Sequence, residues 1–265
     1  MKWLVIDRLY NREAYWCGHL DSYGHYLEAA GEEVRRIDLA GHLGKNRVDE
    51  PIDVVFALEG YDFALTVPAK KRIAQVACDL EVPRGFDAIV SSIPALVEKY
   101  RARGDSVRYM PLAFDTRARV CAMGVKRDLD CIFIGTVGPN HKRRGELLRE
   151  LADIVTVLPP VFGRLYFRTL ARARVVLNPH AEWACGVKNN MRSFEASGMS
   201  ATVVTDAGPA PSFVPGRTFS NAAEAREIIG LSLRDDYGSL DTLETLARGT
   251  YESRVPDLIS LARSL

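Results

Sequence analysis

The chain has 265 residues, 47% hydrophobic and 26% charged, which is apolar material for one large core or two smaller ones and rules out a disordered polyelectrolyte. Its 35 lysines and arginines nearly balance 34 aspartates and glutamates, and the net charge of +1 excludes a uniformly basic nucleic-acid sheath.

In chain order, short apolar runs alternate with longer helical patterns, as βαβ units require. Trp3-Leu4-Val5-Ile6 reads as a first strand. A polar loop follows (Asn11 to Gly18), then a helix from near Leu20 to Ala30 that stops at Gly31. Glu33 to Leu39 and Asp53 to Leu58 read as strands; Lys70 to Cys78 is open between helix end and strand. Phe86 to Val90 is a strand, Ile93 to Arg103 a helix, and Val107 to Met110 a strand.

From about Phe114 to Asp128 the rhythm is lost, and a domain boundary is expected there, dividing the chain into 1–118 and 128–265. The alternation then restarts. Strands are expected at Cys131 to Ile134, Val155 to Leu158, Arg174 to Asn178 and Ala201 to Thr205. Helices are expected at Lys142 to Ala152, Tyr166 to Ala173, Met191 to Gly198, Ala222 to Leu233 and about Thr242 to Leu265. The fold class this implies is α/β, with two Rossmann-like domains facing a cleft and ligands at the carboxyl ends of the strands.

The five cysteines (17, 78, 121, 131 and 185) are odd in number and widely spaced, so they read as scattered thiols and not as a disulfide or zinc framework. The apolar run near the N-terminus is too short for a signal peptide, and no stretch approaches the ~20 apolar residues of a membrane span. The expected location is therefore cytoplasmic.

The chemistry concentrates in the second half. Gly135-Thr136-Val137-Gly138 follows a strand, and is either a tight turn or a place where backbone amides approach a phosphate. His141, Lys142, Arg143 and Arg144 put cations in the first turn of a helix, against its dipole; they are a solvated face or an anion site. After Asn178 comes a polar loop with Trp183, Gly186, Lys188, Asn189 and Asn190, then a helix carrying Arg192 and Glu195 at i and i+3. That pair is either an ion pair within the helix or a nucleotide site. In the second case the carboxylate takes the ribose hydroxyls and the guanidinium the diphosphate.

Several of these segments together resemble the donor-binding domain of CgeB-type (spore-maturation-protein-like) glycosyltransferases. They are Asp130 to Gly135, His141-x-x-Arg144, Tyr166, Val-Val-Leu-Asn178, Asn190-x-Arg192-x-x-Glu195-Ala196 and Ala201. Phe213-Val-Pro-Gly216, Gly249-Thr-Tyr251-x-x-Arg254 and, upstream, Phe86-Asp-Ala-Ile, Gly104 and Met110 to Asp115 extend the resemblance over roughly residues 86 to 265. It implies a GT-B fold, a nucleotide-diphosphate sugar donor such as a UDP-sugar, and no metal or other cofactor. The donor-binding residues it points to are Gly135, Thr136, His141, Arg144, Asn178, Lys188, Asn190, Arg192 and Glu195. Related retaining enzymes carry a second glutamate eight residues before the ribose-binding one; here Val187 occupies that position, which leaves the stereochemical outcome open.

Asp128-Leu-Asp130 spells the D-x-D of metal-dependent transferases. It precedes its strand, at the edge opposite the ligand end, and reads as capping or solvated carboxylates. The N-terminal domain is expected to bind a hydroxyl acceptor. Candidate bases at its strand ends are His19, Asp21 and Glu59, beside an aromatic-basic loop of Arg8, Arg12, Tyr15 and Trp16. Two alternatives stand beside a sugar transferase with a small or polymeric hydroxyl acceptor. One is a DNA glycosyltransferase of the phage type acting on hydroxymethylated bases, served by the basic stretches 70–72, 101–108 and 164–174. The other is a non-catalytic nucleotide-sugar-binding module.

Overall fold

A computed structural model describes residues 1–7, 19–39, 48–76, 81–138, 141–180, 191–206, 214–234 and 238–265, without the side chains of residues 19 and 238–241. It divides into two compact units, Met1–Pro111 with Tyr251–Leu265, and Leu112–Thr250.

The first unit runs β1 (Lys2–Asp7), α1 (His19–Ala29), β2 (Glu33–Asp38), β3 (Ile52–Ala57), α2 (Tyr61–Thr66), β4 (Ala69–Val76), β5 (Ala88–Ser91), α3 (Pro94–Ala102) and β6 (Val107–Tyr109). Its sheet has the order β2-β1-β3-β4-β5-β6, every pair parallel. A parallel sheet is covered on both faces, so its strands are apolar on both. Leu4 and Ile6 join a core with Tyr61 of α2 and Ile93, Leu96 and Tyr100 around α3. On α1, Tyr23 sets its ring edge against Phe56, at 4.9 Å between centroids. The segment left open at 70–78 is strand β4: pinned between β3 and β5, it buries Ile73, Ala74 and Val76. The short helix α2 was not foreseen. Gly60, at φ +72°, turns the chain into it, a conformation that costs glycine little.

The second unit holds a 3-10 turn (Thr116–Ala122), β7 (Leu129–Ile134), α4 (Lys142–Glu150), β8 (Thr156–Leu158), α5 (Gly163–Arg172), β9 (Ala173–Asn178), α6 (Met191–Gly198), β10 (Thr202–Asp206), β11 (Arg217–Phe219), α7 (Ala222–Arg234) and α8 (Gly238–Arg248). This second sheet is separate and parallel, in the order β11-β10-β9-β7-β8. Phe133, Val175, Leu177 and Val204 pack one face against Leu148 of α4 and Ile229 of α7. On the other side α6 meets α8, where Ser197 and Thr245 share a 2.9 Å hydrogen bond.

The boundary falls at Pro111, earlier than residue 118, and the sequence explains why once the partners are known. Phe114 is fully buried, and its N–H donates to Gly249 O at 2.8 Å. Arg119 donates to Gly198 O, and Arg127 to Ala173 O and Met199 O, so the charged segment is stitched to the second unit's own backbone. At the C-terminus the expected single helix is two. Gly249 ends α8, because a Cβ there would lie 2.9 Å from Thr245 O. The last helix, α9 (Tyr251–Ser264), then belongs to the first unit: Tyr251 meets Tyr23 edge-on at 4.9 Å, and Lys71 Nζ donates to Ala262 O at 2.6 Å.

Candidate functional site

In a doubly wound sheet the ligand crevice lies beyond the carboxyl ends of the two strands between which the winding reverses. In the second unit the chain passes from β7 outward to β8, then returns to β9 on the other side, so the reversal lies between β7 and β9. Those strands end at Gly135 and Asn178, and most of the expected donor-binding residues gather there.

Asn178 is the hub. It is fully buried, and a buried amide needs both ends bonded. Its Oδ1 accepts from Arg192 Nη1 at 3.0 Å and its Nδ2 donates to Ser193 Oγ at 3.0 Å, fixing the start of α6 against the end of β9. The Arg192 guanidinium also lies over the Phe133 ring, 5.3 Å from its centre. Gly135 makes room for it. Its φ is +152°, and a Cβ at this position would come within 2.9 Å of Arg192 Nη2.

Glu195, one turn along α6, accepts a hydrogen bond from the Tyr166 hydroxyl of α5 at 2.7 Å. Burial raises the Glu195 carboxyl above the ordinary value, partly offset by that hydrogen bond and by the charge of Arg192. Burial and the neighbouring Glu195 charge push the Tyr166 hydroxyl well up, so it stays a donor. Arg192, Tyr166 and Glu195 therefore form one electrostatic group.

The basic start of α4 divides by role. Arg144 is buried and spends two nitrogens on backbone carbonyls, Thr136 O at 3.0 Å and Pro179 O at 3.2 Å. It ties the loop after β7 to the loop after β9. Arg143 reaches Asp206 Oδ2 at 3.2 Å. His141 stands at the N-cap, its Nδ1 shielded from solvent and without a hydrogen-bond partner among the described residues. Thr136 supplies a carbonyl to Arg144; Lys188 and Asn190 lie outside the described residues.

Sequence reading missed a second buried polar group beside these. His180 and Asp206 sit just past β9 and at the end of β10, 7% and 3% exposed. Asp206 Oδ1 accepts from the His180 backbone N–H at 2.9 Å and contacts its ring Nδ1. Burial alone would raise the Asp206 carboxyl, but the bonds to His180 and the charge of Arg143 outweigh it, and the net direction is down. Thr205 Oγ1, donating to Asn178 O at 2.8 Å and 3.4 Å from His180 Nδ1, links this pair to the Asn178 hub. The available signal was His180 two residues beyond Asn178 and an aspartate closing the next buried strand.

In the first unit the winding reverses between β1 and β3. Glu59, half-buried, follows β3; His19 opens α1, its side chain outside what is described; Asp21 is exposed in the first turn of α1. The aromatic-basic loop is also outside the described residues. Asp128 pairs with Arg172 through two bonds of 2.7 and 2.8 Å, and Asp130 with Arg174 at 3.1 Å, at the start of β7 away from the ligand end. Among the described residues no group of three or more His, Cys, Asp or Glu is placed to hold a metal ion, and no helix is long and apolar enough to cross a membrane. Of the cysteines, 121 and 131 are buried free thiols, and burial pushes the Cys131 thiol up to about 12.

These roles separate by experiment. Arg144→Ala removes a buried double tie and is expected to destabilise by a few kcal/mol. Arg192→Ala leaves the fold standing and weakens nucleotide binding about tenfold or more. Paired melting and titration curves check this. A lowered melting temperature with unchanged affinity for Arg192→Ala would assign that residue to the scaffold.

No family model and no curated protein matches the chain. Solved structures match in fold over its full length. AviGT4, a glycosyltransferase involved in avilamycin A biosynthesis, superposes with a TM-score of 0.68 at 14% identity, covering 99% of this chain and 97% of its own. An α-glucosyltransferase in complex with UDP-glucose and DNA containing an abasic site gives 0.66 at 8% identity, with 99% of both chains covered. Sucrose-phosphate synthase of Thermosynechococcus elongatus gives 0.65 at 12%, covering 100% of this chain and 99% of its own. The fold is that of the GT-B glycosyltransferases: two parallel-sheet α/β units.

Proposed function

We propose that the chain is a metal-independent glycosyltransferase of CgeB type, moving a sugar from a nucleotide-diphosphate donor, a UDP-sugar, to a hydroxyl acceptor in the cytoplasm. The observation that carries this reading is the group at the β7–β9 reversal: Glu195 held by Tyr166, and Arg192 held by Asn178, in a GT-B fold. A carboxylate accepts hydrogen bonds from both ribose hydroxyls, and a guanidinium offers paired donors to a diphosphate. Gly135 and Thr136 lie against the donor phosphates, Lys188 and Asn190 reach the sugar or a phosphate, and the first unit holds the acceptor. His19, Asp21 or Glu59 takes the acceptor proton if the reaction inverts; a retaining reaction needs only positioning there.

The test is a thermal-shift screen of nucleoside diphosphates and their sugars, followed by release of free nucleoside diphosphate. A ligand at about 100 times its dissociation constant stabilises by about 2.7 kcal/mol. Donor turnover supports an enzyme; binding with no turnover against a broad acceptor panel supports a non-catalytic sugar-nucleotide module.

The similarity in fold to an α-glucosyltransferase solved with DNA keeps a modified base in view as the acceptor. Charge pairing weighs against it. Lys70 pairs with Asp53, Arg101 with Glu98, Arg103 with Glu81 and Asp105, and Arg172 and Arg174 with Asp128 and Asp130, so the basic stretches meet their own carboxylates. Duplex DNA binding with a steep salt dependence would reverse that judgement.

A further inference from the structure

A run of polar contacts extends from Glu195 to Arg143. Glu195 is bonded to Tyr166, Tyr166 interacts with Arg192, and Arg192 is bonded to Asn178. The carbonyl of Asn178 is bonded to Thr205, which stands against His180; His180 is bonded to Asp206, and Asp206 is paired with Arg143. With ribose at Glu195 and the first phosphate beside Arg192, the His180–Asp206–Arg143 end is where the far phosphate falls. We propose that His180, oriented by Asp206 and flanked by Arg143, binds the terminal phosphate of the diphosphate, and that this end of the site separates nucleoside diphosphates from monophosphates. This rests on the nucleotide reading of Glu195 and Arg192.

Three observations support it beyond position. Burying an ionised carboxylate is costly unless its partners are placed, and here both Asp206 oxygens are engaged, by His180 and by Arg143. The cluster also carries an excess of positive charge. Three guanidiniums, Arg143, Arg144 and Arg192, face two carboxylates, Asp206 and Glu195, at one sheet edge. An anion with more than one charge answers that excess better than a monoanion does. Finally, the aspartate fixes the ring. With Nδ1 committed to Asp206, any ligand bond from the imidazole is made by Nε2, and its direction is set by the carboxylate. Asp206 is thus a positioning residue, and His180 and Arg143 are the binding ones.

The experiment titrates the full chain with UDP and UMP, and in parallel with the ADP/AMP and GDP/GMP pairs, following heat of binding. His180→Asn is the informative variant, because its amide keeps an N–H donor where Nδ1 stood and removes Nε2. The wild type is expected to prefer the diphosphate of its nucleotide. His180→Asn and Arg143→Ala are each expected to lose about tenfold in diphosphate affinity, the worth of a charged hydrogen bond, with monophosphate affinity unchanged. Asp206→Asn should narrow the same preference by freeing the ring. Equal losses for both nucleotides, or a preference untouched in His180→Asn, would overturn the proposal and leave the cluster as a strap between β9 and β10. A wild type that binds none of the six nucleotides overturns the nucleotide reading itself, and this inference with it.

Discussion

Glu195→Gln is expected to weaken nucleoside-diphosphate binding by about ten- to a hundredfold while melting no lower than the wild type at neutral pH. The loss follows from chemistry: a carboxylate accepts from both ribose hydroxyls, whereas an amide puts a donor where one acceptor stood, at roughly 1.5–3 kcal/mol for a charged bond. The stability follows from burial. The folded-state carboxyl is raised above its ordinary value of 4.5, mainly by desolvation, so holding it ionised opposes folding. A raised folded value means that wild-type stability from this group is present below 4.5 and is lost as pH rises through the folded value. The glutamine escapes that loss, so its relative advantage exists at neutral pH and disappears on acidification. Melting curves from pH 7.5 to 4, with UDP and 2′-deoxy-UDP titrations, check both halves. Wild type binding the two nucleotides equally would remove the ribose role; a glutamine variant that melts lower at neutral pH would contradict the burial argument.

The largest effect on stability is expected where α6 ends. A Cβ on Gly198 would lie 2.4–2.6 Å from three ring atoms of Phe114, which is fully buried. Alanine in place of a helical glycine normally gains about 1 kcal/mol, but overpacking a filled core costs about 1–3 kcal/mol, so Gly198→Ala should destabilise on balance. Phe114→Ala alone should cost about 3–5 kcal/mol. In the Phe114→Ala background the obstruction is gone, and Gly198→Ala should turn neutral or stabilising. That inversion of sign within a double-mutant cycle is the diagnostic. Strict additivity would show that the ring is not what excludes a side chain at residue 198.

Most strands were legible because parallel strands covered on both faces become short apolar runs, and Val54-Val55-Phe56 or Val203-Val204 have no other use for such residues. β4 was ambiguous because Lys70, Lys71 and Arg72 hide its pattern. Their charges are met by Asp53, Ala262 O and Val67 O, partners that only folding brings near. The helix at 61–66 is shorter than periodicity can register. The reading of α8 and α9 as one helix failed because no local signal tells that Tyr251 packs against Tyr23 in the other half of the sequence.

The sequence by itself determined the αβ alternation, the presence of two sheets, and the residue types that meet beyond β7 and β9: a glycine turn, Asn178, Arg192 and Glu195. Those are local properties, set by side-chain period and by spacing along one helix. Tertiary structure decided what each polar residue does. It made Arg144 a buried tie between two loops, left Arg192 braced by Asn178 in the space that Gly135 leaves open, and joined His180 to Asp206 across two adjacent strands. The physical reason is that a charge acquires its role from the groups that replace its water, and here those groups come from strand ends brought together by the order in which the sheet is wound.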